Sequence, residues 1–301
     1  MLNRTGTSSY ARDAGLSFQF TKLLYQARST RYYMSLVITL LGTGDATSVP
    51  APLCNCEYCI DSDRRRHPSV LIETDDVQLL LDAGPDLQEQ LHEIGVRSAD
   101  GVFLTHKHGD HTAGLPALYQ TAKWDSDHLA SIQELQPTPE GFDPGFAIFA
   151  TPKAYDALTT RYGPWDERLT YRSIEGGETV EINGIDVSAV PIDHHRPDCH
   201  TLGFVVDDGD KRICYAPDMR RWHADPPENV DVLICEGAAI LGQPVHGPRD
   251  ELLSAVESVD AERTVLVNVN EHVQQAHTGE LQQRASQEGY ELGTDFKTYE
   301  V

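Results

Sequence analysis

The chain has 301 residues, of which 40% are hydrophobic and 8% aromatic, and its formal net charge at pH 7 is -23. This length allows one large domain or two ordinary ones with ample core, and no run of eighteen apolar residues exists that could cross a membrane. Acidic residues outnumber basic ones by 47 to 24, which makes the surface a poor general platform for nucleic acid, because that affinity comes mostly from phosphate neutralisation.

The first 33 residues differ in composition from the rest of the chain. They hold five basic residues and one acidic residue, a net charge of +4, which leaves -27 for the remainder. They are rich in Ser and Thr and show no clean hydrophobic period. We interpret residues 1–33 as a basic N-terminal extension, either disordered or not native, and residues 34–301 as the working domain.

From Ser35 onward the pattern predicts alternating strands and helices. Apolar runs bounded by turn residues predict strands at 36–41, 69–73, 77–82, 101–104, 147–150, 169–172, 179–182, 185–190, 201–206, 212–216, 230–235 and 264–268. Apolar residues at helical spacing predict helices at 86–95, 113–123, 152–162, 250–259 and 278–288. Residues 125–146, rich in Asp, Ser, Pro and Gly, indicate an inserted loop or flap. Strand-rich halves that each end in helices predict an α/β chain (of the α+β type) folded as a four-layer αββα sandwich.

The clearest chemical signal is the short polar segment that follows the predicted strand at 101–104. It carries three imidazoles and a carboxylate, from His106, His108, Asp110 and His111. Such a set suits a borderline-soft divalent ion such as zinc. Asp110 could serve a second metal or orient a water at the first. Two metals about 3.5–4 Å apart would clamp both the attacking and the leaving oxygen of a hydrolysis.

The order H-x-H-x-D-H resembles the signature of the metallo-β-lactamase superfamily. The resemblance implies a sandwich of that type, with further metal ligands after later strands. His194 follows the strand at 185–190 and is the expected third imidazole, with His195 as the alternative. Asp218 follows the strand at 212–216 and matches the carboxylate that bridges both metals in superfamily members.

The chain departs from the superfamily pattern at the last expected ligand. A histidine should follow the final strand, and Asn268 stands in its place. An amide oxygen is a weaker and harder ligand than imidazole, so we expect the second metal to bind loosely or to be manganese rather than zinc. His272 is the alternative for completing the site, and both one and two catalytic ions stay open.

A C-x-C-x-x-C pattern indicates a second kind of metal site. Its thiols belong to Cys54, Cys56 and Cys59. Clustered cysteines in a chain expected to be intracellular point to metal rather than disulfides, and one histidine would complete a closed Cys₃His zinc site. The loop follows a G-T-G turn after the first strand, and this arrangement resembles the PhnP branch of the superfamily. The resemblance implies a structural zinc with His272 as the fourth ligand, and His277 and His67 are the alternatives.

Other groups near these motifs are candidates for a role in the chemistry. His246 precedes the helix at 250–259, and in PhnP-like enzymes a histidine in this region faces the substrate. Its unperturbed pKa of about 6.5 suits a general acid near neutrality, although an ordinary loop histidine is the alternative. Four cations lie beside motif residues and could hold a phosphate oxygen, or could equally be solvated surface charges: Lys107, Arg196, Arg220 and Arg221.

The PhnP resemblance implies a metal-dependent phosphodiesterase. Its substrate would be a small cyclic phosphate of the ribosyl 1,2-cyclic phosphate class, attacked by a metal-bound hydroxide, with Asp110 and His246 as catalytic residues. The expected cofactors are structural Zn²⁺ and one or two catalytic Zn²⁺ or Mn²⁺ ions. The alternatives are a ribonuclease-Z-like nuclease acting on RNA 3′ ends and a catalytically weak metal-binding protein.

The surface charge suggests where such a protein works. Only six of its 24 basic residues are lysine, and an acidic, lysine-poor surface stays soluble where salt screens its self-repulsion. We therefore expect an acidic, halophilic-type protein of a high-salt cytoplasm. The expected partners are a small phosphodiester substrate and a second copy of the chain in a homodimer, rather than a membrane or nucleic acid.

Overall fold

The computed structural model describes residues 36–123, 146–165, 169–194 and 200–301. The extension predicted at 1–33 and residues 125–145 of the predicted flap lie outside the described residues. The strands are β1 (Val37–Gly42), β2 (Ser69–Glu73), β3 (Gln78–Leu81), β4 (Gly101–Phe103), β5 (Ala147–Ala150), β6 (Thr170–Ser173), β7 (Thr179–Ile182), β8 (Ile185–Asp193), β9 (Thr201–Asp207), β10 (Arg212–Ala216), β11 (Arg221–Trp222), β12 (Val232–Glu236), β13 (Arg263–Val267), β14 (Glu291–Leu292) and β15 (Thr298–Glu300). The helices are α1 (Glu57–Ile60), α2 (Leu87–Ile94), α3 (Gly109–Thr112), α4 (Leu115–Lys123), α5 (Pro152–Tyr162), α6 (Ala238–Leu241), α7 (Arg249–Glu257), α8 (Glu271–Gln274) and α9 (Thr278–Gln287).

These strands form two sheets with the same internal plan. The first has the order β15-β1-β2-β3-β4-β5-β6, and the second has the order β11-β8-β9-β10-β12-β13-β14, with β7 paired to β8. In each sheet, antiparallel pairing gives way to parallel pairing, from β3 to β6 in the first and from β10 to β14 in the second. Each parallel half therefore directs its strand ends toward one edge of its sheet.

The layers follow from the alternation of side chains along the strands. Residues such as Leu40, Phe103, Phe204 and Tyr215 share one buried cluster between the two sheets. Neighbouring residues on the opposite faces pack against helices. Leu41, Leu80 and Val102 lie with Leu87, Leu115 and Leu158 of α2, α4 and α5. Cys214, Leu233 and Leu266 lie with Leu252, Val256 and Leu281 of α7 and α9.

This arrangement confirms the predicted four-layer αββα sandwich. The strands at 69–73, 147–150, 179–182 and 212–216 have the predicted bounds. β8 continues three residues beyond its predicted end at Val190, because residues up to Asp193 pair with β9 and β11. None of the described helices is both long enough and apolar enough to span a membrane.

Candidate metal centre

Polar side chains gather where strands of both sheets reach their carboxyl ends. β4 leads into Thr105 and the predicted ligand loop, which contains the single helical turn α3. In the second sheet the polar residues at or just after the ends of β8, β10, β12 and β13 are His194, Asp218, Glu236 and Asn268. Residues far apart in the sequence therefore meet at one place in the fold.

The first ligand group contains three imidazoles and one carboxylate. Its members are His106, His108, His194 and Asp218, whose ligand atoms lie within 4.8 Å of one another. His106 Nε2 is 2.8 Å from His108 Nδ1 and 3.5 Å from Asp218 Oδ2. Burial, reinforced by His111, holds the pKa of His106 well below its usual value, so this imidazole is neutral as a metal ligand must be. His194 Nδ1 donates to the carbonyl oxygen of Asp218 at 3.0 Å, which leaves Nε2 as its ligand nitrogen.

The second ligand group contains Asp110, His111 and Asp218. His111 Nε2 lies 3.2 Å from Asp110 Oδ2 and 3.2 Å from Asp218 Oδ1, while its Nδ1 donates to Asp82 Oδ2 at 2.7 Å. Nε2 is buried and makes no hydrogen bond within the part of the chain that the structure describes. An imidazole nitrogen that faces two carboxylates is favourable when it carries a proton or binds a metal cation that the carboxylates share. These residues therefore fit a divalent metal ion.

The electrostatics of both groups favour positive charge. Burial alone would lower the pKa of His111, but the carboxylates of Asp218 and Asp82 raise it well above its usual value. Burial alone would raise the pKa of Asp218, whereas His111 and His246 hold it well below its usual value. The two oxygens of Asp218 face different imidazoles, Oδ1 facing His111 and Oδ2 facing His106. This carboxylate is thus shared by both ligand groups, as the bridging role predicted for it requires.

Asp82 fixes the imidazoles from behind and was missed by sequence reasoning. It is fully buried, and it accepts hydrogen bonds from the backbone and hydroxyl of Thr105, from His111 and from the hydroxyl of Tyr215. The Thr105 hydroxyl also lies 3.0 Å from His106 Nδ1. Asp82 therefore sets the ring orientation of His111 directly and that of His106 through Thr105. Its place at the end of an apolar strand was the available signal.

Two family models match different parts of the chain. A family model described as a beta-lactamase superfamily domain matches residues 123–268, and one described as the anti-Pycsar protein Apyc1 matches residues 36–135. The two matches together span the ligand-bearing strand ends of both sheets. These matches support the metallo-β-lactamase superfamily, whose fold the chain has.

A solved structure and curated relatives extend this result. The structure of a new diphosphatase from the PhnP family superposes with a TM-score of 0.68 at 22% identity, covering 89% of this chain and 98% of that one. At this identity the likeness supports the metallo-β-lactamase fold. The ribonuclease Z of Methanopyrus kandleri is 30% identical over 54% of this chain and 48% of its own length. That of Natronomonas pharaonis is 24% identical over 79% of this chain and 72% of its own length.

Coverage of other relatives is partial. The chain is 43% identical over 89 residues to an octanoyltransferase of Porphyromonas gingivalis, and this match spans 28% of the chain and 18% of the octanoyltransferase. The chain thus spans about half or less of the length of two of the curated relatives it matches. The metallo-β-lactamase fold implies the use of divalent metal, and the two ligand groups place histidine and aspartate side chains for it.

Asn268, the predicted last ligand, lies beside Asp218 but with its amide nitrogen toward the carboxylates. Nδ2 donates to Asp218 Oδ1 at 2.8 Å and to Glu236 Oε2 at 2.9 Å. The alternative ligand His272 does not approach this centre, because it lies with the cysteines. The superfamily position of the last histidine is therefore occupied by a hydrogen-bond donor.

His246 meets the metal centre together with Glu236, a residue that sequence reasoning missed. The fully buried Glu236 accepts from His246 Nδ1 at 2.6 Å, and His246 Nε2 lies 3.6 Å from Asp218 Oδ2. Burial alone would lower the pKa of His246, but the carboxylates of Glu236 and Asp218 raise it to about 9. The pair is a candidate proton donor that faces the shared carboxylate.

The predicted structural zinc ligands are also brought together. The ligand atoms of Cys54, Cys56, Cys59 and His272 lie within 4.8 Å of one another. His272 Nδ1 is 3.4 Å from the sulfur of Cys54 and 3.2 Å from that of Cys56. Three thiols and one imidazole are a donor set that suits tetrahedral zinc. Of the alternatives, the ring of His277 packs at 5.0 Å from that of Tyr58, and His67 pairs with Asp86.

The remaining candidates take other places. Arg220 pairs with Glu251, and Arg221 pairs with Asp193 and Glu251, so both guanidinium groups are engaged by carboxylates. Lys107 is partly buried within the ligand loop, between His106 and His108. His195 and Arg196 lie outside the described residues.

Proposed function

We propose that this metal-dependent hydrolase cleaves small phosphodiesters, and that a cyclic phosphate of the ribosyl 1,2-cyclic phosphate class is its substrate. The observation that carries the proposal is the position of His246. Its ring lies 4.4 Å from that of His194, and its Nε2 points toward the carboxylate shared by both ligand groups. A nitrogen held there can deliver a proton to the oxygen that leaves phosphorus.

The residues of the centre divide this work between them. Divalent ions held by the two ligand groups would supply Lewis acidity and lower the pKa of water toward neutrality. Glu236 accepts from His246 Nδ1 and so directs Nε2 and its proton into the centre. Asp110, half-buried at the start of α3, faces the same space and can orient the attacking water.

The charge of the chain supports a small substrate. Residues 34–301 carry a net charge of -27, which repels a long polyanion. Two arginines near the centre, Arg220 and Arg221, are already paired with carboxylates. A single phosphodiester, neutralised by the bound ions, needs no extended basic surface.

A turnover assay tests this proposal. Protein purified in high salt is offered bis(p-nitrophenyl) phosphate, then a ribosyl 1,2-cyclic phosphate and a precursor tRNA with a 3′ trailer. We expect cleavage of the first two. His246→Ala should lower the rate with the cyclic phosphate by about 10²–10⁴-fold, and less with p-nitrophenolate, which leaves without a proton. Equal loss on both substrates would contradict the proton-donor role, and no turnover on any phosphodiester would contradict the proposal itself.

The second candidate is a ribonuclease-Z-like nuclease, favoured by the curated relatives of that name. It predicts cleavage of the precursor tRNA in the same assay, with rates that fall steeply as salt rises. The third, a catalytically weak metal-binding protein, predicts bound metal without turnover on any of the three substrates.

We further propose Zn²⁺ at the cysteine site, Zn²⁺ or Mn²⁺ at the catalytic centre, a cytoplasmic location and a homodimer. The thiol set favours zinc, whereas the carboxylates of the second ligand group also suit manganese. Elemental analysis of the purified protein and its hydrodynamic mass in high salt test the metals and the homodimer.

A further inference from the structure

We propose that Asn268 is a positioning residue and not a metal ligand, so that the catalytic centre holds one ion tightly and a second only at higher metal concentration. The inference concerns metal binding alone and does not depend on which phosphodiester the chain cleaves.

The orientation of this amide is set by its neighbours. Asn268 is 2% exposed, and Nδ2 contacts two carboxylate oxygens, one from Asp218 and one from Glu236. Ionised carboxylates only accept hydrogen bonds, so the NH₂ group must face them and the amide oxygen must face away. Nδ2 also lies 3.3 Å from the carbonyl oxygen of Pro217, a third acceptor. Turning the amide to offer its oxygen to a metal would set that oxygen against all three.

The backbone conformation of Asn268 and its place in the sheet are the second observation. Asn268 has φ +59°, in the left-handed region that asparagine tolerates better than most residues. It follows directly from β13 and is hydrogen-bonded to residues after β10 and at the end of β12. The side chain thus joins the ends of three neighbouring parallel strands, β10, β12 and β13. This is the role of a residue that holds the shared carboxylate in place.

The ligand counts then differ between the two groups. Among the described residues, the first ligand group offers four ligand atoms, three of them imidazole nitrogens, and the second offers two carboxylates and one imidazole. Borderline metals such as zinc prefer imidazole, and each missing ligand lowers affinity. The second group therefore binds its ion more weakly. It keeps more positions open for water or substrate, and its occupancy follows the free metal concentration.

The test is a metal titration of the folded protein with a variant that adds a ligand. Protein that retains zinc at its cysteine site is stripped of catalytic ions with a chelator and titrated with Mn²⁺, because manganese avoids thiolates. Bound Mn²⁺ per chain is counted by electron paramagnetic resonance. We expect two separate binding steps in the wild type. We expect Asn268→His to lower the dissociation constant of the second step by on the order of tenfold or more.

Asn229→His is the matched control. Asn229 is exposed, has φ +53° and precedes the start of β12, at the opposite end of that strand from Glu236, so its replacement makes the same chemical change and the two steps should equal those of the wild type. If Asn268→His does not fold, Asn268→Asp decides the question. Its carboxylate adds an oxygen ligand, so Mn²⁺ should raise its melting temperature more than that of the wild type. Two equal, tight catalytic equivalents in the wild type would overturn the proposal, as would folded ligand-adding variants with no gain in the second step.

Discussion

Buried carboxylates that bind no metal decide how the ligands of this centre point. Asp82 is the clearest example, because His111 and, through Thr105, His106 both depend on it for their ring orientation. Carboxylates that orient metal-binding histidines in this way typically contribute 10–100-fold to metal affinity.

We therefore expect Asp82→Asn to weaken binding of the catalytic ions by about 10–100-fold while the fold persists. An asparagine cannot accept from His111 and Thr105 as the carboxylate does, so the His111 ring loses its fixed tautomer. Isothermal titration with Mn²⁺ measures the change. Asp231→Asn is the control, because Asp231 also accepts from a side chain and a backbone group, Lys211 and Arg212, but away from the centre. Wild-type affinity in Asp82→Asn would show that the orientation comes from elsewhere.

Asp86, whose carboxylate pairs with His67, makes a pH-dependent contribution to stability. Burial alone would raise the pKa of Asp86, but hydrogen bonds from the side chain and backbone of His67 lower it from 3.8 to about 2. A carboxylate whose pKa is lower in the folded state stabilises the fold above the unfolded value. That contribution is lost as the pH falls from about 4 to about 2.

Asp86→Asn should lower the free energy of unfolding at pH 7 by about 1 kcal/mol, a value reduced for the partial exposure of the pair. The difference from the wild type should shrink as the pH falls from about 4 to about 2. Urea unfolding at a series of pH values in high KCl measures it, with the exposed Asp76→Asn as the control. A difference that stays constant across this range would show that Asp86 acts through packing and not through its charge.

At the scale of elements, the apolar strands were the predictable part. Runs such as 69–73 and 212–216 are long enough to show strand periodicity, and they hold their predicted bounds. β11, β14 and β15 contain two or three residues each, too few for any period, and they exist because partner strands offer free backbone groups. The H-x-H-x-D-H loop was visible because its ligands are local. The role of Glu236 depends on His246, ten residues away in the sequence. The direction of the Asn268 amide depends on Glu236, more than thirty residues away. Sequence alone could not reveal either contact.

The short helix α8 carries His272 and is fixed by its N-cap residue, Asn270. Asn270 caps it by accepting from the backbone of His272 and Val273, and its Nδ2 donates to Asp45, Thr47 and the carbonyl oxygen of Ser48. The cap therefore ties the helix that carries His272 to the loop that leads to the cysteines. A zinc ion held by His272 and the three cysteines would join the same helix and loop.

Cys54→Ser should remove one zinc per chain and lower the melting temperature, because a structural zinc site contributes folding free energy. Elemental analysis and a thermal melt measure both effects. Cys214→Ala serves for comparison, since this thiol is buried in β10 away from the zinc ligands and its loss should leave the zinc count unchanged. A full zinc complement in Cys54→Ser would remove Cys54 from the ligand set.

At the scale of the whole molecule, the net negative charge is the feature with the clearest effect on stability. A net charge of -23 on 301 residues destabilises the compact state through self-repulsion unless salt screens it. We expect the melting temperature to rise between low and high KCl by on the order of 5 °C, equivalent to about 1–2 kcal/mol for a domain of this size.

A neutral osmolyte separates charge screening from other effects of the solvent. Sucrose strengthens burial by exclusion from the surface without screening charges. If sucrose at matched osmolality stabilises the chain as much as KCl does, self-repulsion is not the cause. A melting temperature that is independent of KCl would contradict the expectation of a high-salt protein.

The shared strand plan of the two sheets has a consequence for folding. The first sheet supplies His106, His108, Asp110 and His111, and the second supplies His194 and Asp218, so within the described residues neither ligand group is complete in one sheet. An ion can be held by a full group only once the sheets have packed face to face. At a free concentration a hundred times its dissociation constant, each ion then adds about 2.7 kcal/mol to the packed state. Occupancy of the first ligand group by its tightly held ion therefore reports that the two sheets have packed, whereas the second group fills according to the free metal concentration.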